Sequence, residues 1–154
     1  MPISDSAAAL WRTFASARGE MLAMPEITVF GLGEAQQTEL CALVLSGQKR
    51  ATTSLAAWYK ASGEALPKTG DLAVVCDGTG AAHGIIETID VEIVPFIAVT
   101  GDFAAAEGEG DGSLNYWRAA HRDYFTQTQA EDGGMFSEDM LVVCQRFRLL
   151  WPTG

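Results

Sequence analysis

The sequence predicts an α+β fold, a small and mostly antiparallel β-barrel with flanking α-helices. Helical patterns occupy the first third of the chain, and β-branched strand patterns cluster between about Asp71 and Phe96. A further helix and a closing strand follow. The predicted strands are few and strongly twisted, so a small barrel is favoured over an open flat sheet. With 154 residues, 48% of them apolar, the chain is predicted to form one domain, 1–154.

Two helices are predicted near the start of the chain. The first spans about 6–18, where apolar residues recur at helical spacing and Gly19 suits the end of the helix. These apolar residues are Ala7, Leu10, Trp11 and Phe14. The second helix runs from about Glu34 to Ser46, and Gly47 is its predicted C-cap.

Two strands joined by a turn are predicted in the middle of the chain. "PKTGD" leads into the strand "LAVVC", and "DGTG" turns into a strand that begins at about Ala82 and ends near Pro95. Strict alternation predicts two opposite faces for this second strand. One face would carry Ile85, Ile89, Val91 and Ile93, and the other Thr88, Asp90 and Glu92.

The last third is predicted to hold one helix and one strand. Ser113 is the predicted N-cap of a helix with an apolar stripe formed by Leu114, Trp117, His121, Tyr124 and Phe125. "MLVVCQRFRLLW" is rich in β-branched and aromatic residues, which predicts a closing strand. Its inner face would carry Leu141, Val143, Phe147 and Leu149.

The composition excludes several classes of protein. Twenty acidic and ten basic residues give a formal charge of −10, which argues against a broad basic surface for nucleic acid but allows a small basic pocket. No apolar stretch approaches membrane-spanning length, and no basic leader precedes an apolar run, so neither a membrane span nor a secretory signal is expected. Cys41, Cys76 and Cys144 stand singly in apolar patterns. They are predicted to be free, buried thiols, which favours a cytoplasmic location.

The segment "VLSGQKRATTSL" concentrates positive charge and hydroxyl groups just after Gly47. Lys49 and Arg50 are followed by Thr52, Thr53 and Ser54. One interpretation is a helix end whose basic residues complement the helix dipole. The other is a turned corner at which Lys49 faces a cleft and contacts phosphate, polarises a carbonyl or acts as a base. If Lys49 lies in such a cleft, Lys49→Ala should abolish function and leave the fold almost unchanged.

A second polar segment, "EGEGD", alternates the carboxylates of Glu107, Glu109 and Asp111 with glycines. It is either a solvated loop before a helix or a source of carboxylates that orient Lys49, carry protons or hold a divalent cation. Trp58, Tyr59 and Tyr116 are candidate stacking platforms for bases.

Trp117 and His121 are assigned structural roles. Trp117 is predicted to be core. His121 lies on the apolar stripe, and His83 is too distant in sequence to pair with it.

Five blocks together resemble the ASCH domain, a member of the PUA-like β-barrel group. They are "VLSGQKRATTS", "LPKTGD", "VEIVPF", "AAEGEGDGSLNYWR" and "FSEDMLVVCQRF". The resemblance covers nearly the whole chain beyond the first helix. It is greatest to the longer bacterial subfamily with the EGEGD and SLxxWR blocks. It implies a barrel with a cleft at the lysine corner, RNA binding, and hydrolytic activity in some members.

In the branch of this family that deacylates acetylated cytidine, the catalytic set is a lysine, a threonine three residues later and a glutamate. Lys49 and Thr52 match the first two positions, and Glu109 is the best match to the third, with Glu107 as its rival. Ser54 stands where that branch has an arginine, so this chain departs from the branch at one substrate-binding position.

These observations lead to three hypotheses. The first is a hydrolase, a ribonuclease acting on single-stranded RNA, in which Arg50, Thr53, Ser54, Trp58, Tyr59 and Tyr116 would bind the substrate. The second is an amidohydrolase that deacylates a modified cytidine, and the third is an RNA-binding module without turnover. No residue is assigned to a metal, although Mn²⁺ or Mg²⁺ is retained as a candidate cofactor. A homodimer is left open.

Overall fold

A computed structural model describes residues 5–19 and 25–152, so the ends of the predicted domain, residues 1–4 and 153–154, and residues 20–24 lie outside the described part. Within it, five α-helices surround a curled five-stranded sheet. The helices are α1 Asp5–Ala17, α2 Glu34–Ser46, α3 Ala56–Ser62, α4 Gly101–Glu107 and α5 Leu114–Glu131. The strands are β1 Glu26–Thr28, β2 Ala51–Leu55, β3 Leu72–Cys76, β4 Ala82–Pro95 and β5 Leu141–Trp151.

The sheet has the strand order β1-β3-β4-β5-β2. Of its four pairings among the described strands, three are antiparallel, and only β1 runs parallel to β3. The strands curl into a half-barrel, so the predicted α+β, mostly antiparallel, barrel-like fold is confirmed.

Several local predictions are confirmed together with the fold. Helix α2 has the predicted bounds and ends at Gly47, whose backbone is left-handed at φ 83°. Ser113 caps α5, because its hydroxyl accepts a hydrogen bond from the backbone N–H of Tyr116 at 3.1 Å.

The predicted faces of β4 are wrong. Ile89 and Ile93 are 48% and 42% exposed, whereas Thr88 is buried at 2% exposure. The pairing of β4 with β5 shifts register between Ile85 and Ile86 and again between Thr88 and Asp90. Each irregularity interrupts the two-residue alternation on which the prediction depended, so side chains beyond it change faces.

The predicted inner face of β5 is also wrong in part. Leu141 is 50% exposed, while Val142 and Val143 are both fully buried. Helices cover both faces of this strand. Val142 and Cys144 pack in a core cluster with α4 and α5, and Phe147 packs in a separate cluster with α2. A strand covered on both sides has no single inner face.

The core consists of three clusters that hold the helices on the sheet. Residues of α1 pack on one face of β3, and residues of α2 pack on the other. The third cluster joins β2 and β5 to α4 and α5, with Phe96, Phe103 and Trp117 among its large members. This third cluster places the end of α4 beside the start of β2, where the candidate site lies.

The three cysteines are buried and free, as predicted. No described helix combines the length and the apolar character that crossing a membrane requires.

Candidate functional site

Lys49 lies at the corner between α2 and β2, and its side chain points into the protein. The left-handed Gly47 ends α2, and the backbone N–H of Lys49 then bonds the carbonyl of Leu43 at 3.0 Å. The backbone N–H of Arg50 bonds the carbonyl of Ala106 at 2.7 Å, which ties the corner to α4. Lys49 is consequently only 2% exposed, whereas a lysine that merely caps a helix would lie in solvent.

The ammonium group of Lys49 uses all three of its N–H donors within the protein. Nζ bonds the carbonyl of Ala51 at 2.7 Å, Oε1 of Glu107 at 3.0 Å and Oε2 of Glu109 at 2.9 Å. Burial lowers the pKa of Lys49, but the charges and hydrogen bonds of the two glutamates outweigh it, and the net pKa is raised. These contacts favour the charged ammonium over the neutral amine, so Lys49 is poorly suited to act as a general base.

Gly108 brings the acidic segment against the lysine corner. It ends α4 in a left-handed conformation, φ 68°, and its carbonyl accepts a hydrogen bond from Nε2 of Gln48 at 2.7 Å. A Cβ at this position would lie 2.1 Å from the carbonyl oxygen of Gln48. Only glycine fits both the backbone angle and this close approach. The contact sets Glu107 and Glu109 on either side of the Lys49 ammonium.

Glu107 is a buried carboxylate whose acceptor positions are filled. Besides Lys49 on Oε1, its Oε2 accepts from the hydroxyl of Thr53 at 2.6 Å and from Nε1 of Trp117 at 2.6 Å. His121 adds a contact from Nε2 to Oε2 at 3.2 Å. Burial alone would raise the pKa of Glu107, but the Lys49 charge and the bonds from His121 and Thr53 lower it well below its usual range.

Glu109 is the carboxylate with access to the cleft. Its side chain is 19% exposed, against 2% for that of Glu107. Among the described residues, Lys49 is the one hydrogen-bond partner of its side chain, on Oε2. Glu109 therefore has acceptor capacity free for water or a ligand, while Glu107 serves as a fixed anchor.

The cleft itself is open, has a volume of about 1200 Å³ and is lined mainly by β1, β2, β3, α3 and α5. The cleft carries more acidic than basic side chains. Five carboxylates line it, those of Glu26, Glu64, Asp71, Glu107 and Glu109. The lysines on its walls are Lys49 and Lys68. Lys49 is neutralised by its two glutamates, and Lys68 lies 2.9 Å from Asp71.

The cleft collects most of the residues predicted for the site. Its lining includes Lys49, Thr52, Thr53, Ser54, Trp58, Tyr59, Glu107 and Glu109. Thr52 and Thr53 lie on opposite faces of β2, and the hydroxyl that bonds a carboxylate is that of Thr53. The side chain of Thr52 makes no hydrogen bond with the described residues.

The aromatic pair at the mouth of the cleft is Trp58 and Tyr59. Trp58 is 49% exposed, and its ring contacts that of Tyr59 edge-on at 5.1 Å. The hydroxyl of Tyr59 donates to that of Ser54 at 3.3 Å. This arrangement leaves an indole face available for a base.

The structure does not bring Arg50 and Tyr116 to the wall of the cleft. Arg50 is exposed, and its backbone N–H and carbonyl join the corner to Ala106 and Phe147. The ring of Tyr116 covers Gly110, where an added Cβ would lie 2.5 Å from ring carbons. Tyr116 packs against the acidic segment and is 43% exposed, and its role as a stacking platform stays a prediction.

His121 is a member of the site that the sequence pattern does not indicate. It lies on the predicted apolar stripe of α5, but its ring lines the cleft and contacts Glu107. The available signal was its spacing, since His121 lies one helical turn after Trp117 and the two side chains share a helix face. The spacing alone does not identify the site, because the sequence does not show that this helix face meets a buried carboxylate.

The cluster of Glu107, Glu109 and His121 does not fit a divalent cation. Oxygen or nitrogen atoms of Glu107, Glu109 and His121 lie within 4.8 Å of one another, which is close enough to share an ion. However, the Lys49 ammonium already bonds both carboxylates, and Glu107 accepts four donors. An ion there would have to displace the ammonium.

A comparison with known families agrees with this geometry. The family model described as ASCH domain matches residues 26–151, from the start of β1 to the end of β5. The chain belongs to the ASCH domain family. ASCH domains in general are PUA-like domains that bind nucleic acid.

Two solved structures are similar to this ASCH domain. An ASCH domain from Lactobacillus crispatus JV V101 is 34% identical, with a TM-score of 0.90, over 97% of this chain and 96% of that one. A protein from Enterococcus faecalis V583 is 35% identical, with a TM-score of 0.88, over 94% of this chain and 88% of that one. No match was found among curated proteins.

Proposed function

We propose that this ASCH domain binds a base or nucleoside derived from RNA in its cleft and hydrolyses an acyl group from it, as in deacylation of an acetylated cytidine. The observation that carries the proposal is the charge of the cleft. Its walls carry five carboxylates and three basic groups, Lys49, Lys68 and His121, and each basic group is paired with a carboxylate. An uncharged ligand enters such a cleft without electrostatic penalty, whereas a phosphate is repelled.

The same observation makes the ribonuclease the weaker proposal. Catalysis on a phosphodiester needs positive groups at the place where charge develops on the phosphate. The Lys49 ammonium has no free N–H, and the side chain of Arg50 lies outside the cleft wall. A nucleoside instead needs stacking surfaces and uncharged hydrogen-bonding groups, which Trp58 and Thr52 supply.

The proposed reaction uses Glu109 as the proton carrier. Glu109 accepts a proton from water, whose oxygen forms a bond to the acyl carbonyl carbon. The bond from that carbon to the exocyclic nitrogen then breaks, and the nitrogen takes the proton from Glu109. The products are the free acid and the amine. Lys49, 2.9 Å from Oε2, orients the Glu109 carboxylate, and the Thr52 hydroxyl binds the substrate.

The test is to incubate the purified protein with N4-acetylcytidine, with its 5′-monophosphate and with short single-stranded RNA, and to analyse the products chromatographically. We expect cytidine and acetate from the nucleoside, slower turnover of the monophosphate and intact RNA. Glu109→Gln should reduce deacylation by about 100-fold or more, because it removes the proton acceptor.

The matched control is Glu39→Gln on the exposed part of α2, which should leave turnover unchanged. Cleavage of RNA with no deacylation would overturn the proposal in favour of a ribonuclease. Binding of RNA or nucleoside without any product would instead identify a binding module.

A further inference from the structure

His121 lies at the floor of the cleft, on α5. Its side chain is 13% exposed, and its ring stacks on that of Trp117, with centroids 4.3 Å apart and planes inclined by 20°. On its other side it meets the ring of Phe125 at 5.9 Å. The imidazole is therefore held in one orientation by aromatic packing, and its two nitrogens point to defined partners.

Both partners are hydrogen-bond acceptors. Nδ1 lies 2.9 Å from the carbonyl oxygen of Trp117, and Nε2 lies 3.2 Å from Oε2 of Glu107. A neutral imidazole has one N–H, so it would direct a nitrogen lone pair at one of these oxygens. The arrangement is satisfied on both sides only when the ring carries two protons.

The charges around the ring agree with this protonation state. The groups that face it are Glu107 from α4, Glu109 from the following loop and Lys49, which shares the Glu107 carboxylate. Cys144 on β5 is a neutral thiol, because burial first and the Glu107 charge second raise its pKa to about 12. If His121 is an imidazolium, it and the Lys49 ammonium balance the two glutamate carboxylates. With a neutral ring, the buried group retains one excess negative charge.

The direction of the His121 pKa is consistent with that balance. Burial lowers the pKa, but the hydrogen bond and charge of Glu107 outweigh it, and the net shift is upward. The protonated form therefore extends to higher pH than for an exposed histidine.

We propose that His121 is a positioning residue that acts as an imidazolium, fixing Glu107 and, through the shared Lys49 ammonium, the orientation of Glu109 towards the cleft. Its catalytic consequence rests on the proposed function, whereas its effect on Glu107 does not. Loss of the proton places a nitrogen lone pair against one of the two acceptor oxygens, that of Trp117 or Oε2 of Glu107, and leaves Lys49 to balance two carboxylates.

The first test uses nitrogen NMR of His121. The chain has two histidines, so His83→Gln leaves His121 alone in the spectrum. His83 pairs with Asp77 in the turn before β4, outside the cleft, and its replacement should leave activity unchanged. We expect two protonated ring nitrogens at about pH 7 and a titration midpoint above the ordinary value of about 6.5. A single protonated nitrogen at that pH would overturn the inference.

The second test compares wild type with His121→Gln, which keeps a donor to Glu107 but cannot carry the charge. A raised histidine pKa gives stability that is complete below the unfolded-state value of about 6.5 and is lost as pH rises through the folded-state value. The urea midpoint of wild type should therefore fall relative to that of His121→Gln as pH rises from about 6.5 to the NMR midpoint, and the difference should level off above it. Parallel curves would contradict the proposal.

Kinetics separate this inference from the proposed function. His121→Gln should lower kcat for deacylation by about tenfold with little change in KM, as expected for a residue that orients a reacting group through a hydrogen bond. Wild-type kcat should fall above the NMR midpoint, and the variant should show no such fall. If NMR and urea results are as expected but no deacylation occurs, the proposed function fails and the positioning of Glu107 stands. If deacylation occurs with a neutral His121, the inference fails alone.

Discussion

Replacing Lys49 by methionine removes the ammonium and retains an unbranched side chain of similar length. Two carboxylates then lose their cation, with different consequences. Glu109 is 19% exposed and can turn towards water, so its contribution to the loss of stability is small. Glu107 is 1% exposed and stays buried beside the methionine, without the ammonium that bonded its Oε1 and with His121 as its remaining charged partner. Breaking one side of a buried ion pair costs about 3–5 kcal/mol of unfolding free energy.

A loss of this size is easy to measure. For a domain of this length, each kcal/mol shifts the melting temperature by about 2–4 °C, so Lys49→Met should melt roughly 10 °C lower than wild type. Urea unfolding at neutral pH gives the free energy directly. The sequence-based expectation that removal of Lys49 would leave the fold almost unchanged is therefore replaced by a large destabilisation, because Lys49 is buried and paired.

The controls determine whether the ion pair is the cause. Lys60→Met changes an exposed lysine on α3 and should alter stability by less than about 0.5 kcal/mol. The double variant Lys49→Met with Glu107→Gln removes both charges, so it should lose less stability than the two single variants together. A Lys49→Met protein as stable as wild type would refute the buried ion pair.

Two further predictions concern the residues around this pair. Gly108→Ala should destabilise the protein by about 1–3 kcal/mol in urea unfolding, because the new Cβ meets the carbonyl of Gln48 at 2.1 Å and the backbone φ is 68°. If Gly108→Ala is as stable as wild type, the contact between Gly108 and the Gln48 carbonyl is not tight enough to exclude a Cβ. Thr53→Val should lower the free energy of unfolding by about 1–3 kcal/mol, because Glu107 loses the hydroxyl that donates to it. Thr52→Val should change this free energy little and should weaken nucleoside binding in a titration. The reverse order of stabilities would contradict the assignment of the two hydroxyls.

The sequence alone was sufficient for features that depend on near neighbours in the chain. Helix α2 begins and ends where predicted, since a left-handed glycine at position 47 ends a helix whatever surrounds it. The cap at Ser113 and the extents of β3 and β4 follow from equally local chemistry. The sequence also placed Lys49 and the two glutamates in one site, but only through the order and spacing of blocks that resemble a family.

The tertiary structure alone decided what each of these groups can do. Glu107 lies 58 residues from Lys49, and no local pattern states that one carboxylate is buried with four donors while Glu109 stays open to the cleft. The same holds for His121, which resembles any polar residue on an apolar stripe until α5 is packed against α4. The faces of β4 depended on register shifts that arise in pairing with β5. Protonation and access are set by atoms distant in sequence, because burial and charge depend on position in space.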